Sequence, residues 1–197
     1  MKELLFILLV GTLLGGCGGE KTDDAEETSR NEGVGAQAPQ GWLTSKTGVD
    51  ELTALAQPGK WKGTHVIRQD DQEIVSLKVE ENIAYGNGGK CLVKFTRESA
   101  SNVASHSLQA FTYDPANDVY RHLIVFDSGN FLVQEGKWDD EKKNLNFEVT
   151  HSSDPSLDGT SNTTTFSEEG KRWSWNWQQS PTVSPRMSGT GQVKKVE

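Results

Sequence analysis

From Trp61 to the C-terminus, apolar and polar side chains alternate with a period of two, the repeat of a strand with one buried face. Val75, Leu77 and Val79 alternate with Ser76, Lys78 and Glu80, and Cys91, Val93 and Phe95 alternate with Leu92, Lys94 and Thr96. Phe111 and Tyr113 end a further strand. Tyr120, His122, Ile124 and Phe126 share one face of the next, and Phe131, Val133 and Glu135 follow it. Leu145, Phe147 and Val149 alternate cleanly, as do Trp173, Trp175 and Trp177, while Met187 and Val193 mark a last strand. Turn-forming clusters separate these runs at Gly86–Gly89, Asp114–Asp118, Asp127–Asn130 and Asp139–Asn144. One helical pattern precedes them: Val49, Leu52, Leu55 and Ala56, behind an N-cap at Thr47 and stopped by Pro58-Gly59. It predicts a helix of two to three turns. About nine or ten short strands with no intervening long helix exclude parallel βαβ units and leave an antiparallel barrel or a sandwich. Consecutive hairpins favour the barrel, because closure pairs both edge strands.

The first residues have another texture. Leu4 to Leu14 is an apolar run too short to span a hydrocarbon core of ~30 Å. It fits the apolar part of a secretory leader. Leu14-Gly15-Gly16-Cys17 follows, and this tetrapeptide resembles the lipobox of bacterial lipoproteins. The resemblance implies a leader over residues 1–16, cleavage before Cys17, a lipid thioether on Cys17 and acylation of the new amino terminus. Two or more acyl chains hold a protein stably on a membrane, so the chain is expected to be tethered rather than spanning. With Gly18 after the cysteine, the resemblance implies the cell envelope, on the periplasmic side of the outer membrane in a Gram-negative cell.

Residues 17–46 read as the lipidated cysteine and a tether, and residues 47–197 as the folded domain. Between residues 18 and 40, six acids face two bases, and no aromatic residue occurs. Such a segment cannot bury enough apolar surface to fold. It carries half of the chain's net charge of −8. The acid excess argues against nucleic acid as a partner, since phosphate binding needs a basic face. With two cysteines, one assigned to lipid, no disulfide framework is available.

Gly59-Lys60-Trp61, just after the short helix and opening the first strand, resembles the lipocalin/calycin signature. The resemblance implies that Trp61 caps one end of a barrel, with Arg172 or Arg186 stacked on it. The spaced pattern of Phe111, Tyr113, Asp114, Tyr120, Arg121, Phe126, Ser128, Gly129, Gly136, Trp138, Asp139, Leu145 and Phe147 resembles an uncharacterised family of secreted bacterial proteins. That family is expected to form a lipocalin-like barrel, and it implies a fold without an activity. The fold class expected is therefore all-β, a lipocalin/calycin-like antiparallel barrel with one short N-terminal helix.

Chemistry-bearing motifs are sparse. His65, His106, His122 and His151 have no metal-ligand spacing, and no nucleophile elbow, P-loop or Cys-x-x-Cys occurs. No catalytic residue, metal site or cofactor is assigned. His106 and His122 flank one turn and could meet across a hairpin, which together with the expected envelope location is the motive for a hydrolase reading. Cys91 shares a face with Val93 and Phe95 and reads as a buried, inert thiol. Glu80-Glu81, Asp139-Asp140 and Glu168-Glu169 read as solvated charges beside turns. The unusual feature is the indole stripe. Trp173, Trp175 and Trp177 on one face would expose an apolar patch of roughly 500 Å² if left in water. They either fill the barrel, line a ligand cavity or mark a contact surface. The first expectation is a small apolar or amphipathic ligand bound at these three residues. A filled barrel that meets an unspecified protein partner is the alternative.

Overall fold

The computed structural model describes residues 50–101, 103–167 and 169–197. The leader, Cys17, the tether and the Thr47 cap lie outside the described residues. Ten strands follow one short helix: α1 (Asp50–Thr53), β1 (Gly59–Gln69), β2 (Gln72–Gly86), β3 (Cys91–Ala100), β4 (Val103–Asp114), β5 (Val119–Phe126), β6 (Phe131–Asp139), β7 (Asn144–Ser152), β8 (Ser161–Phe166), β9 (Arg172–Gln178) and β10 (Met187–Lys195). Each pairs antiparallel with its neighbours in sequence, and β1 pairs with β10 from Trp61↔Lys195 to Gln69↔Met187. The sheet is a closed barrel, so no edge is left to template aggregation.

The hairpins form where turn chemistry dictates. Asp70 and Asp71, both at positive φ, join β1 to β2 in two residues, the conformation that matches the strands' twist. The Asp114 carboxylate accepts the Ala116 backbone N–H at 3.0 Å and the Asn117 amide at 2.8 Å, closing the turn into β5. Among the described residues the helix spans one turn. Leu55 and Ala56 continue its buried face as a turn, because the chain must extend ahead of Pro58 to enter β1. Leu52, Leu55 and Ala56 are fully buried and plug one end of the barrel. There Tyr85 donates its hydroxyl to the Ala56 carbonyl at 3.0 Å, and Trp61 donates its indole N–H to the Gln57 carbonyl at 3.1 Å.

Register fixes which side chains point inward. On β3 they are Leu92, Lys94, Thr96 and Glu98, opposite Tyr85, Ile83, Glu81 and Val79 of β2. The more apolar set, Cys91, Val93 and Phe95, faces outward, the reverse of the sequence expectation. On β6 the inward set is Leu132, Gln134, Gly136 and Trp138, not Phe131, Val133 and Glu135. Glu81 is likewise no solvated turn charge: it keeps phase with Val79 and Ile83 and is 2% exposed. Its Oε1 lies 3.0 Å from Lys94 Nζ, which sits 4.1 Å over the Trp173 ring. Burial pushes the Glu81 carboxyl up and the Lys94 charge pulls it back, burial being the larger effect.

A buried ion pair is costly to break and cheap to replace whole. Lys94→Met alone is expected to lower stability by about 3–5 kcal/mol, because it strands the Glu81 carboxylate. The double variant Glu81→Leu, Lys94→Met is expected to recover most of that loss. Urea unfolding of the two variants measures the difference.

Candidate functional site

The barrel interior changes character along its axis. Toward the plugged end, the inward side chains Trp61, Ile83, Tyr85, Leu92, Phe111, Leu145, Phe147, Phe166, Trp173 and Val193 are at most 4% exposed, and Tyr113 and Trp138 pack against them partly exposed. Trp173 packs against Trp61, Phe111 and Phe166 with centroids 5.7–6.0 Å apart. Above this core lies a polar layer contributed by β2 to β6. Lys94 pairs with Glu81, Thr96 bonds Glu81 at 3.4 Å, and Gln109 bonds Thr96 at 3.4 Å. The Gln109 Oε1 lies 3.0 Å from His122 Nε2, and the Gln134 Oε1 lies 3.1 Å from Nδ1.

His122 is 4% exposed and stacks on Phe111 at 3.8 Å. Burial, then the Lys94 charge, hold it well below the ordinary imidazole range. A neutral ring donates one proton only. Gln109 already spends its N–H groups on Ser107 and Thr96, so its oxygen accepts the ring proton, and Gln134, whose Oε1 faces Nδ1, bonds the neutral ring only with its amide turned over.

Beyond the polar layer burial is uneven: inward-facing Leu132 and Met187 are 6% and 5% exposed. Ile67, Leu77, Glu98, Ser107, Ile124, Trp175 and Trp177 point inward, yet each remains partly exposed. His65, buried among them, links three elements. Its Nδ1 lies 2.9 Å from Glu98 Oε1, and its Nε2 lies 2.9 Å from Trp177 Nε1. An indole N–H can only donate, so Nε2 accepts, the ring is neutral, and Nδ1–H donates to Glu98. The edge of Trp175 meets the same imidazole at 5.6 Å between centroids.

Two glycines of β10 make this packing possible. A Cβ at Gly191 would stand 2.1 Å from the Trp175 ring, and one at Gly189 would stand 2.3 Å from Trp177 Nε1 and 2.6 Å from His65 Nε2. The indoles therefore lie directly on the β10 backbone.

The structure places the sequence-derived residues as follows. The three indoles share the inner face of β9, Trp173 sealed in the core and Trp175 and Trp177 in the open half. Trp61 is 1% exposed at the plugged end, and Gly59 beside it has φ +137° with the Glu197 carbonyl where a Cβ would stand. Neither expected arginine stacks on Trp61. Arg172 is exposed on the outer wall, and Arg186 sits at the opposite end, bonded to Gln178 and Asp70. The cation over an indole is Lys94 instead. His106 and His122 do not meet, because register puts them on opposite faces. His106 is exposed and pairs with Asp127 at 3.6 Å. Cys91 is half-buried on the outer wall, and partial burial pushes its thiol up. A shallow depression of about 520 Å³ on the outer wall is lined by uncharged side chains including Thr64, Thr163, Ser174, Asn176 and Thr190. Trp175 and Gly191 also border it. No group of three or more metal-ligating side chains is found among the described residues.

The sequence missed His65, Glu81, Lys94 and Glu98 as interior groups. The available signal was phase: His65 stands four residues from Trp61, and Glu81 stands midway between Val79 and Ile83.

No model of a known protein family matches the chain, and no curated protein matches it. Among solved structures it is similar to Rv2717c from M. tuberculosis, with a TM-score of 0.53 and 13% identity over 75% of this chain and 96% of that one. At that identity the likeness concerns the fold.

A histidine held neutral gives stability that is present above the unfolded pKa of ~6.5 and lost as pH falls, since only the unfolded chain then takes the proton. His122 is expected to add up to about 1.4 kcal/mol per pH unit to the acid-side loss below pH ~6.5. His122→Gln should flatten that part of the slope, as read from urea midpoints at pH 5 to 7.5. Equal slopes would show that His122 is not held neutral.

Proposed function

We propose that this chain is a bacterial lipoprotein, anchored through Cys17, whose barrel binds a small amphipathic ligand in its open half. The anchor rests on the Leu14-Gly15-Gly16-Cys17 motif behind an apolar leader. The binding reading rests on one observation: inward-facing side chains that are sealed around Trp173 become solvent-reached around Trp175 and Trp177. A concave site with aromatic walls and a few placed polar groups suits a ligand with an apolar body and a polar end. Trp175, Trp177 and Ile124 supply the apolar wall, and His65 and Glu98 supply the polar groups. Trp173 is then part of the floor rather than a contacting residue.

The runner-up is a filled barrel that meets a protein on its outer wall. It is favoured by Leu108 and Leu123, both 39% exposed, on the outer face of β4 and β5 beside Phe95 and Val125.

Adding alkyl amphiphiles to the full chain carrying Cys17→Ser is expected to change tryptophan emission, and Trp177→Ala should weaken that binding by about tenfold. No emission change with any amphiphile would reject the ligand site. In cells, the unsubstituted chain should incorporate labelled fatty acid and sediment with membranes, whereas Cys17→Ser should do neither. Label on the Cys17→Ser chain would reject the anchor.

A further inference from the structure

We propose that the ligand of the open half is an amphipathic organic cation, an amine or quaternary ammonium on an apolar body, with its charged head between Glu98 and the indoles of Trp175 and Trp177. The inference rests on the open-half site and adds the sign of the ligand's charge.

It starts from a charge count inside the barrel. The inward-facing positions of β1 to β10 carry two carboxylates, Glu81 and Glu98, and two ammoniums, Lys94 at mid-barrel and Lys195 at the plugged end beside Gln57, so the open half holds a carboxylate and no ammonium of its own. Lys94 is committed to Glu81 at 3.0 Å and, with its partner, is almost wholly buried. Glu98, whose side chain is 24% exposed, has His65 as its partner. The Trp177 N–H occupies His65 Nε2, so that ring is neutral and brings Glu98 no positive charge. No lysine or arginine among the described residues forms an ion pair with Glu98. A three-quarters buried carboxylate without a cation is costly, and a ligand that supplies the cation relieves the cost. Glu81 adds to it: its Oε2 is buried with no protein partner, and the two carboxylates repel across the same interior.

Two further features point the same way. Indole faces attract ammonium groups, and this barrel already holds one so, with Lys94 4.1 Å over Trp173 and 5.8 Å from Trp175. The loops around the open rim carry Asp70, Asp71, Asp127, Asp154 and Asp158 against Arg186. A negative rim concentrates cations and repels fatty acids.

The test compares three amphiphiles of one chain length, each below its micellar concentration: decyltrimethylammonium, decyl maltoside and decanoate. They are titrated into the full chain carrying Cys17→Ser and followed by calorimetry. The ammonium is expected to bind about tenfold or more tighter than decanoate, with the maltoside between them. Glu98→Gln should weaken the ammonium by about tenfold and the uncharged maltoside by clearly less. Decanoate or maltoside binding as tightly as the ammonium would overturn the charge assignment while the ligand site stands. If none of the three binds, the open-half site itself falls. The head-group ranking is measured with Glu98 in place, so it does not depend on how well the Glu98→Gln chain folds.

Discussion

A sheet that closes on itself has an inside of fixed size, and every second residue of every strand must be accommodated there. In this chain closure is made by β1 and β10, segments more than a hundred residues apart in sequence. The inward positions divide the enclosed space unequally. The plugged half is filled by aromatic and aliphatic side chains under Leu52, Leu55 and Ala56. In the other half the indoles of Trp175 and Trp177 lie on two glycines of β10, and several inward side chains remain partly exposed. What the barrel can do follows from that asymmetry.

The polar layer between the halves joins stability to function. It begins at Glu81–Lys94 and runs through Thr96, Gln109 and His122 to Gln134. In a low-dielectric interior, a connected network fixes its members far more firmly than single bonds to water would. Lys94 is held by Glu81 and by the Trp173 ring, so its charge is unavailable to a ligand. Glu98, one strand position beyond Thr96 on the same inner face, has only a neutral histidine. The contrast between these two carboxylates sets the electrostatics of the open half.

Much of the architecture was legible from the chain alone. Alternation gave the strands, and Gly86–Gly89, Asp114–Asp118 and Asp127–Asn130 gave the hairpins, because both signals are local. Two faces were inverted. On β3 the apolar alternation of Cys91, Val93 and Phe95 outweighed Leu92, Lys94 and Thr96, yet the latter set lines the interior. Charged residues were read as solvated, and nothing local marks Lys94 as the partner of Glu81. The His65–Trp177 bond joins residues 112 apart, and only closure brings them together. The indole stripe was visible as a stripe. Its division into one sealed ring and two solvent-reached rings was not, since that depends on how the opposite wall fills the barrel.

Whether the interior is sealed at one end and solvent-reached at the other can be read by fluorine NMR of the chain labelled with fluorotryptophan, in the presence of a soluble paramagnetic quencher. Trp175 and Trp177 are expected to broaden while Trp61 and Trp173 stay sharp. Equal sharpness of these four among the six tryptophan signals would mean a barrel filled throughout, and equal broadening of the four would mean that the plugged core does not exist.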